Sequence, residues 1–183
     1  MDEQNARNLR KAEEIERKYI IQLPDIAELE KMPDYTKSEI TQIYLSAPRG
    51  VTHRVRRRRY KGETIYTETE KRRIDALSCV ETEREIDERQ FEELAKKQAI
   101  HRRPIEKVRH TFRFEGQLFE IDVYPGWKRT CILETELKFR EENPHIPALL
   151  HVIREVTGRK GYSNADMSKR FPQEEKAFLS HKK

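Results

Sequence analysis

Along most of this chain polar and apolar residues alternate with a period of two. That is the spacing of a β-strand, whose successive side chains point to opposite faces. Such runs cover residues 14–23, 39–46, 51–60, 64–71, 80–86, 104–114, 117–124 and 130–139. Turn-forming pieces separate several of them: Pro48-Arg49-Gly50, Lys61-Gly62-Glu63, Glu115-Gly116 and Pro125-Gly126. Helical spacing is confined to short pieces. Pro24-Asp25 opens a helix over 26–32, and 87–99 carries Phe91, Leu94 and Ala95 along one side. Pro144 and Pro147 are expected to frame a helix to about residue 156, and residues 163–166 to cap a last one. About eight strands with mostly short connections predict an α+β chain: a closed eight-stranded antiparallel barrel, which leaves no exposed edge, with helices packed outside.

Nearly every strand has one strongly charged face. Glu14, Glu16 and Lys18 share a face, as do Arg54, Arg56 and Arg58, then Thr67, Thr69 and Lys71, then Glu81, Glu83 and Glu85. Lys107, Arg109, Thr111 and Arg113 line up on a sixth strand, Glu120 and Asp122 on a seventh, and Glu134, Glu136 and Lys138 on an eighth. In an ordinary barrel these faces would look at solvent and the apolar ones would fill the middle. The sorting by sign suits a different arrangement, a wet interior with cationic and acidic walls. Two carboxylates side by side repel by about 4 kcal/mol at ~4 Å and an effective dielectric near 20, so something must offset them. A divalent ion held by carboxylates and bridged to a polyphosphate, with Arg and Lys on the remaining phosphate charge, would do so.

Composition narrows the setting. With 183 residues, one domain of ordinary size is expected. Apolar residues are 35% and charged residues 39%, so a fold that keeps a second, polar interior is favoured over one large apolar core. The net charge of +5 is a modest excess, pointing to an anionic partner rather than a general nucleic-acid coat. Cys79 and Cys131 have no metal-site spacing and are expected to be reduced packing residues. The six histidines show no ligand spacing, and Trp127 is expected to pack. The first residues lack an apolar signal region, and no run approaches the ~18 apolar residues of a membrane span. A cytoplasmic location and no membrane contact are the expectations. The chain divides into a polar extension (1–12), the barrel domain (13–174) and a disordered lysine-rich tail (175–183).

Taken in order, the charged segments resemble those of the CYTH superfamily, the triphosphate tunnel metalloenzymes. Glu14-Ile15-Glu16-Arg17-Lys18 is similar to its opening Glu-x-Glu-x-Lys. Gln42-Ile43-Tyr44-Leu45, Arg54-Val55-Arg56, Thr69-Glu70-Lys71, Glu81-Thr82-Glu83 and Lys107-Val108-Arg109 follow in the family's order. Asp122, Glu134-Thr135-Glu136 and Tyr162-Ser163-Asn164 complete the set, which spans about residues 14–170. The resemblance implies a tunnel acting on a triphosphate-containing small molecule with Mg²⁺ or Mn²⁺. It implies Glu14, Glu16, Asp122, Glu134 and Glu136 as metal ligands, and Lys18, Arg54, Arg56, Lys71, Lys107 and Arg109 as phosphate-binding residues. Lys18 and Tyr44 are implied as the catalytic pair that positions or activates the attacking water, while Glu81 and Glu83 belong to the tunnel with no assigned role.

The chain departs from the family in its N-terminal dozen residues and in Arg57 and Arg59, which face away from the expected tunnel. Glu68 and Glu70 are expected to balance those two arginines from the next strand. Three functions remain open. One is a metal-dependent triphosphatase, with inorganic tripolyphosphate the favoured substrate. The second is a class IV adenylate cyclase that makes cyclic AMP and pyrophosphate from ATP. The third is a non-catalytic binder of polyphosphate or RNA, for which the acidic residues have no use. RNA would enter only through its 5′ ends, and homodimers, known in the family, are compatible with the sequence.

Overall fold

The computed structural model describes residues 10–174, with side chains from Ile15 onward. The expected tail and most of the expected extension, residues 1–9, lie outside the described residues. Nine strands run in the order β1 (Arg10–Gln22), β2 (Thr36–Leu45), β3 (Val51–Tyr60), β4 (Glu63–Arg73), β5 (Ser78–Ile86), β6 (Ile105–Phe114), β7 (Gln117–Val123), β8 (Thr130–Glu136) and β9 (Val152–Glu155). Three short helices accompany them: α1 (Ile26–Leu29), α2 (Glu88–Ala95) and α3 (Asn164–Met167). All pairings are antiparallel, in the order β5-β4-β3-β2-β6-β7-β8-β1, and β1 pairs back onto β5 to close an eight-stranded barrel.

β1 is the closing strand, and its length explains how. Its first half, Arg10 to Ile15, pairs with β5, and its second half, Glu16 to Gln22, pairs with β8. Where β5 ends, β9 takes its place beside Tyr19 to Ile21. This corrects two expectations. The strand starts at Arg10, inside the segment assigned to the extension. The stretch expected as a helix up to residue 156 ends instead in β9, whose Val152 and Ile153 suit an extended chain docked on an otherwise unpaired edge.

The apolar faces point outward. Tyr19, Ile21, Phe112, Phe119, Ile121, Cys131 and Leu133 form one cluster on the outside of β1, β6, β7 and β8, covered by Leu29 of α1 and by Leu150. Leu45, Val55 and Ile86 form a second on the outside of β2, β3 and β5, under Phe91 of α2. α2 is held at its start by a capping box between Asp87 and Gln90. Fully burying each such side chain contributes about 1.5–3 kcal/mol, so the barrel is stabilised by its jacket rather than by its lumen. A third cluster has inward parity. Ile20, Tyr44, Ile105, Tyr124 and Ile132 pack with Trp127, Val156 and Met167 of α3, giving the lumen an apolar floor on the side of β1, β6, β7 and β8. Trp127 donates to the Pro172 carbonyl at 3.1 Å, the anchoring role expected of it. Both cysteines are buried, as expected of packing residues.

Outside the barrel the expected charge balance is different. In the β3–β4 register, Arg57 faces Tyr66 and Arg59 faces Thr64, so Glu68 reaches neither. Glu68 instead pairs with His53 at 2.8 Å and with Arg84. Arg57 donates to Thr41 at 3.3 Å.

Candidate functional site

Inward parity brings the charged faces to one cavity of about 770 Å³ inside the barrel. Glu16 and Lys18 of β1, Tyr44 of β2, Arg54 and Arg56 of β3, and Lys71 of β4 line it, as do Lys107 and Arg109 of β6 and Glu134 and Glu136 of β8. Of the expected site residues, Asp122 lies behind this surface, fully buried against Lys107 and Arg109. Glu14 stands opposite Cys79 in the β1–β5 register, and its side chain lies outside the described residues.

On one side the charges are tied to each other. Arg109 donates to Asp122 through Nε and Nη2, both at 2.7 Å, to Glu134 at 2.8 Å, and to Glu120. Lys107 donates to Asp122 Oδ2, the oxygen that also accepts from Arg109 Nη2, and Lys18 pairs with Glu134 at 2.6 Å. A chain Lys107–Asp122–Arg109–Glu134–Lys18 thus crosses β6, β7, β8 and β1. Burial alone would raise the Asp122 carboxyl, but Arg109 and Lys107 hold it below the usual range. Glu134 is likewise held well below its ordinary value, its burial outweighed by Lys18 and Arg109. Lys107 is pulled down to about 8, because burial and the Arg109 charge outweigh Asp122. Burial would also lower Lys18, yet Glu134 and Glu16 raise it, so it is a fixed ammonium.

On the other side the anchors come from β5. Glu81 accepts from Arg54 at 3.2 Å and pairs with Lys71 at 3.1 Å. Glu83 accepts from Arg56 at 3.1 Å and from Thr69 at 2.9 Å. These two glutamates, inward but without a role from sequence, therefore aim three cations into the lumen. Arg56 stays short of negative charge: burial and neighbouring Arg54 push it down, and Glu83 only partly compensates. Tyr44 is raised chiefly by burial, so it is a neutral phenol, with Arg102 over its ring at 5.2 Å.

Glu16 and Glu136 face each other across the β1–β8 register, next to the Lys18–Glu134 pair. Among the described residues no three metal-ligating side chains converge. Hard-oxygen donors nevertheless suit Mg²⁺ or Mn²⁺, and Mg²⁺ is commonly held by one or two carboxylates together with substrate phosphates. The donor set fits such an ion once phosphate supplies the remaining ligands. Sequence reasoning gave no role to Glu120 and Gln42, both on the cavity wall. Strand parity puts each on the inner face; what they touch depends on register across strands distant in sequence.

Neither a protein-family profile nor a curated protein sequence matches the chain. Solved structures do. The chain is similar to the inorganic triphosphatase NE1496, at 28% identity over 87% of this chain and 96% of that one, with a TM-score of 0.55. A second structure of NE1496 gives 29% identity, coverage of 87% and 99%, and a TM-score of 0.53. The PH1819 protein from Pyrococcus horikoshii OT3 shares the fold at 23% identity, over 70% of this chain and 80% of its own, with a TM-score of 0.53.

Proposed function

We propose that this chain, a CYTH-type triphosphate tunnel protein by its closed barrel and its likeness to NE1496, is a metal-dependent triphosphatase acting on inorganic tripolyphosphate. The observation that carries the reading is the lumen itself. Lys18, Arg54, Arg56, Lys71, Lys107 and Arg109 share one cavity with Glu16, Glu134 and Glu136, while the apolar residues sit mostly outside. A lumen of this kind is costly to keep unless a multiply charged ligand occupies it.

Arg54, Arg56 and Lys71 bind the phosphate chain, fixed in direction by Glu81 and Glu83. Glu16 and Glu136, with Glu134 beside them, would hold the ion, and the family resemblance adds Glu14. The group supplies charge neutralisation and polarisation of a phosphoryl oxygen when bound. Asp122 serves this wall as an anchor: both of its oxygens are engaged by Lys107 and Arg109, which hold the inner phosphates. Water attacks the terminal phosphorus in line, the bridging P–O bond breaks, and pyrophosphate leaves. Lys18 and Tyr44 orient that water as hydrogen-bond donors. A charged lysine and a neutral phenol cannot strip a proton at neutral pH, and the loose transition state of phosphoryl transfer does not require it. The proton leaves with the phosphate product.

The test is a panel of tripolyphosphate, thiamine triphosphate, ATP and GTP against Mg²⁺, Mn²⁺ and no metal. Phosphate release fastest from tripolyphosphate, and only with metal, is expected. Cyclic AMP and pyrophosphate from ATP would instead identify a cyclase. Binding without turnover, independent of metal and steeply weakened by salt, would identify a polyanion binder.

A further inference from the structure

Six buried side-chain nitrogen or oxygen atoms among the described residues have no hydrogen-bond partner: Arg17 Nε, Ser38 Oγ, Gln42 Nε2, Arg54 Nε, Arg58 Nε and Thr67 Oγ1. Leaving such a donor unmet costs stability, so native proteins rarely do it without reason. These atoms are not scattered. All but the Arg17 atom belong to inward positions of three adjacent strands, β2, β3 and β4. The opposite wall has its charged atoms tied in the Lys107-to-Lys18 chain.

Two of the unmet donors are neutral and share one layer of the barrel. Gln42 faces Arg56 across β2–β3, and Arg56 faces Thr67 across β3–β4. Gln42 is 2% exposed and Thr67 6% exposed. Gln42 lines the cavity, two positions along the strand from Tyr44. Between them lies the guanidinium that burial and Arg54 leave short of negative charge.

We infer that Gln42 is a substrate-contacting residue, a neutral donor beside Arg56 that hydrogen-bonds an oxygen of the bound phosphate chain. This rests on the triphosphate reading above and adds to its cationic residues. Neutral donors serve a purpose that further cations could not. They satisfy phosphate oxygens in the layer of Arg56 without adding to the repulsion between Arg54 and Arg56. They also select for ligands that present acceptor oxygens at that depth.

The test is tripolyphosphate binding by calorimetry in the presence of a chelator, with thermal unfolding measured on the same samples. Gln42→Leu removes the donor but keeps the shape. Its affinity is expected to fall about tenfold, the effect of one hydrogen bond to a charged group, while its unfolding midpoint stays level or rises. Gln42→Glu is expected to bind more weakly still, because a carboxylate repels phosphate. Thr67→Val, at a buried hydroxyl that does not line the cavity, is expected to keep wild-type affinity. Unchanged affinity in Gln42→Leu overturns the inference. So does a weakened affinity accompanied by a lowered midpoint in Gln42→Leu, or an equal loss of affinity in Thr67→Val, the marks of a packing role. Wild-type protein that binds no tripolyphosphate in chelator yet releases phosphate from it with Mg²⁺ or Mn²⁺ overturns this inference alone, and protein that does neither overturns the triphosphate reading itself.

Discussion

The two walls of the lumen hold similar residues in different states. On the β6–β7–β8–β1 wall, every one of Lys107, Asp122, Arg109, Glu134 and Lys18 is engaged by a neighbour of opposite charge. On the β2–β3–β4 wall, the cations are aimed by glutamates of β5, and donors at Gln42, Arg54, Arg58 and Thr67 stay unmet. The first wall completes itself and can hold geometry in an empty tunnel. The second is complete only with acceptor oxygens in front of it. The difference separates groups that hold one another in place before a ligand arrives, Lys18, Lys107 and Arg109 among them, from groups whose donors are left for the ligand, although all of them lie on inward faces.

The comparison breaks most sharply at Asp122. Asp122→Ala leaves Lys107 and Arg109 buried without their shared carboxylate, and removing one partner from a buried pair costs about 3–5 kcal/mol. Denaturant unfolding should show that loss, and a change under 1 kcal/mol would mean that the paired wall is not structural. The same wall should be acid-sensitive. Asp122 and Glu134 are held below their unfolded values. The stability they contribute is present above pH ~4 and is lost as pH falls through their folded values, where the native state must take up protons. Unfolding midpoints of the wild type should therefore drop steeply below pH 4, and those of Glu134→Gln less so.

Arg56→Ala sharpens the contrast from the other side. Its partner Glu83 is partly exposed and keeps its bond from Thr69, so stability should fall by less than in Asp122→Ala. Tripolyphosphate binding should weaken roughly 10- to 100-fold, the equivalent of about 1.5–3 kcal/mol for a charged hydrogen bond. A variant that loses stability instead of binding would erase the division of labour. The smallest effect belongs outside the barrel. Glu68→Gln removes partners of His53 and Arg84 at the surface and should cost under about 1 kcal/mol, with turnover unaffected.

Much of this was legible in the chain. A period of two over ten residues, as in β3 or β6, fixes which side chains share a face, and charge of one sign on that face marks the lumen. The closed barrel followed from short turns and the number of strands. Register did not follow. Asp122 has the parity of a lumen ligand, but only the β6–β7 pairing shows that Arg109 stands directly beside it. Glu68 looked like a partner for Arg57 until the hairpin register put Val55 opposite it. β9 was hidden for a related reason. Four residues after two prolines carry a weak local signal, and what makes them a strand is the edge of β1 left open where β5 stops. Gln42 was visible as a motif residue, yet an unmet donor is defined by what surrounds it, which alternation cannot show.

The most direct test of the tunnel as a place where a divalent ion and a triphosphate meet is anomalous diffraction from crystals soaked with Mn²⁺ and tripolyphosphate. The predicted result is manganese density beside Glu16 and Glu136, with the phosphate chain lying between it and Arg54, Arg56 and Lys71. Manganese and phosphate bound outside the barrel, or a lumen still empty at saturating concentrations of both, would contradict it.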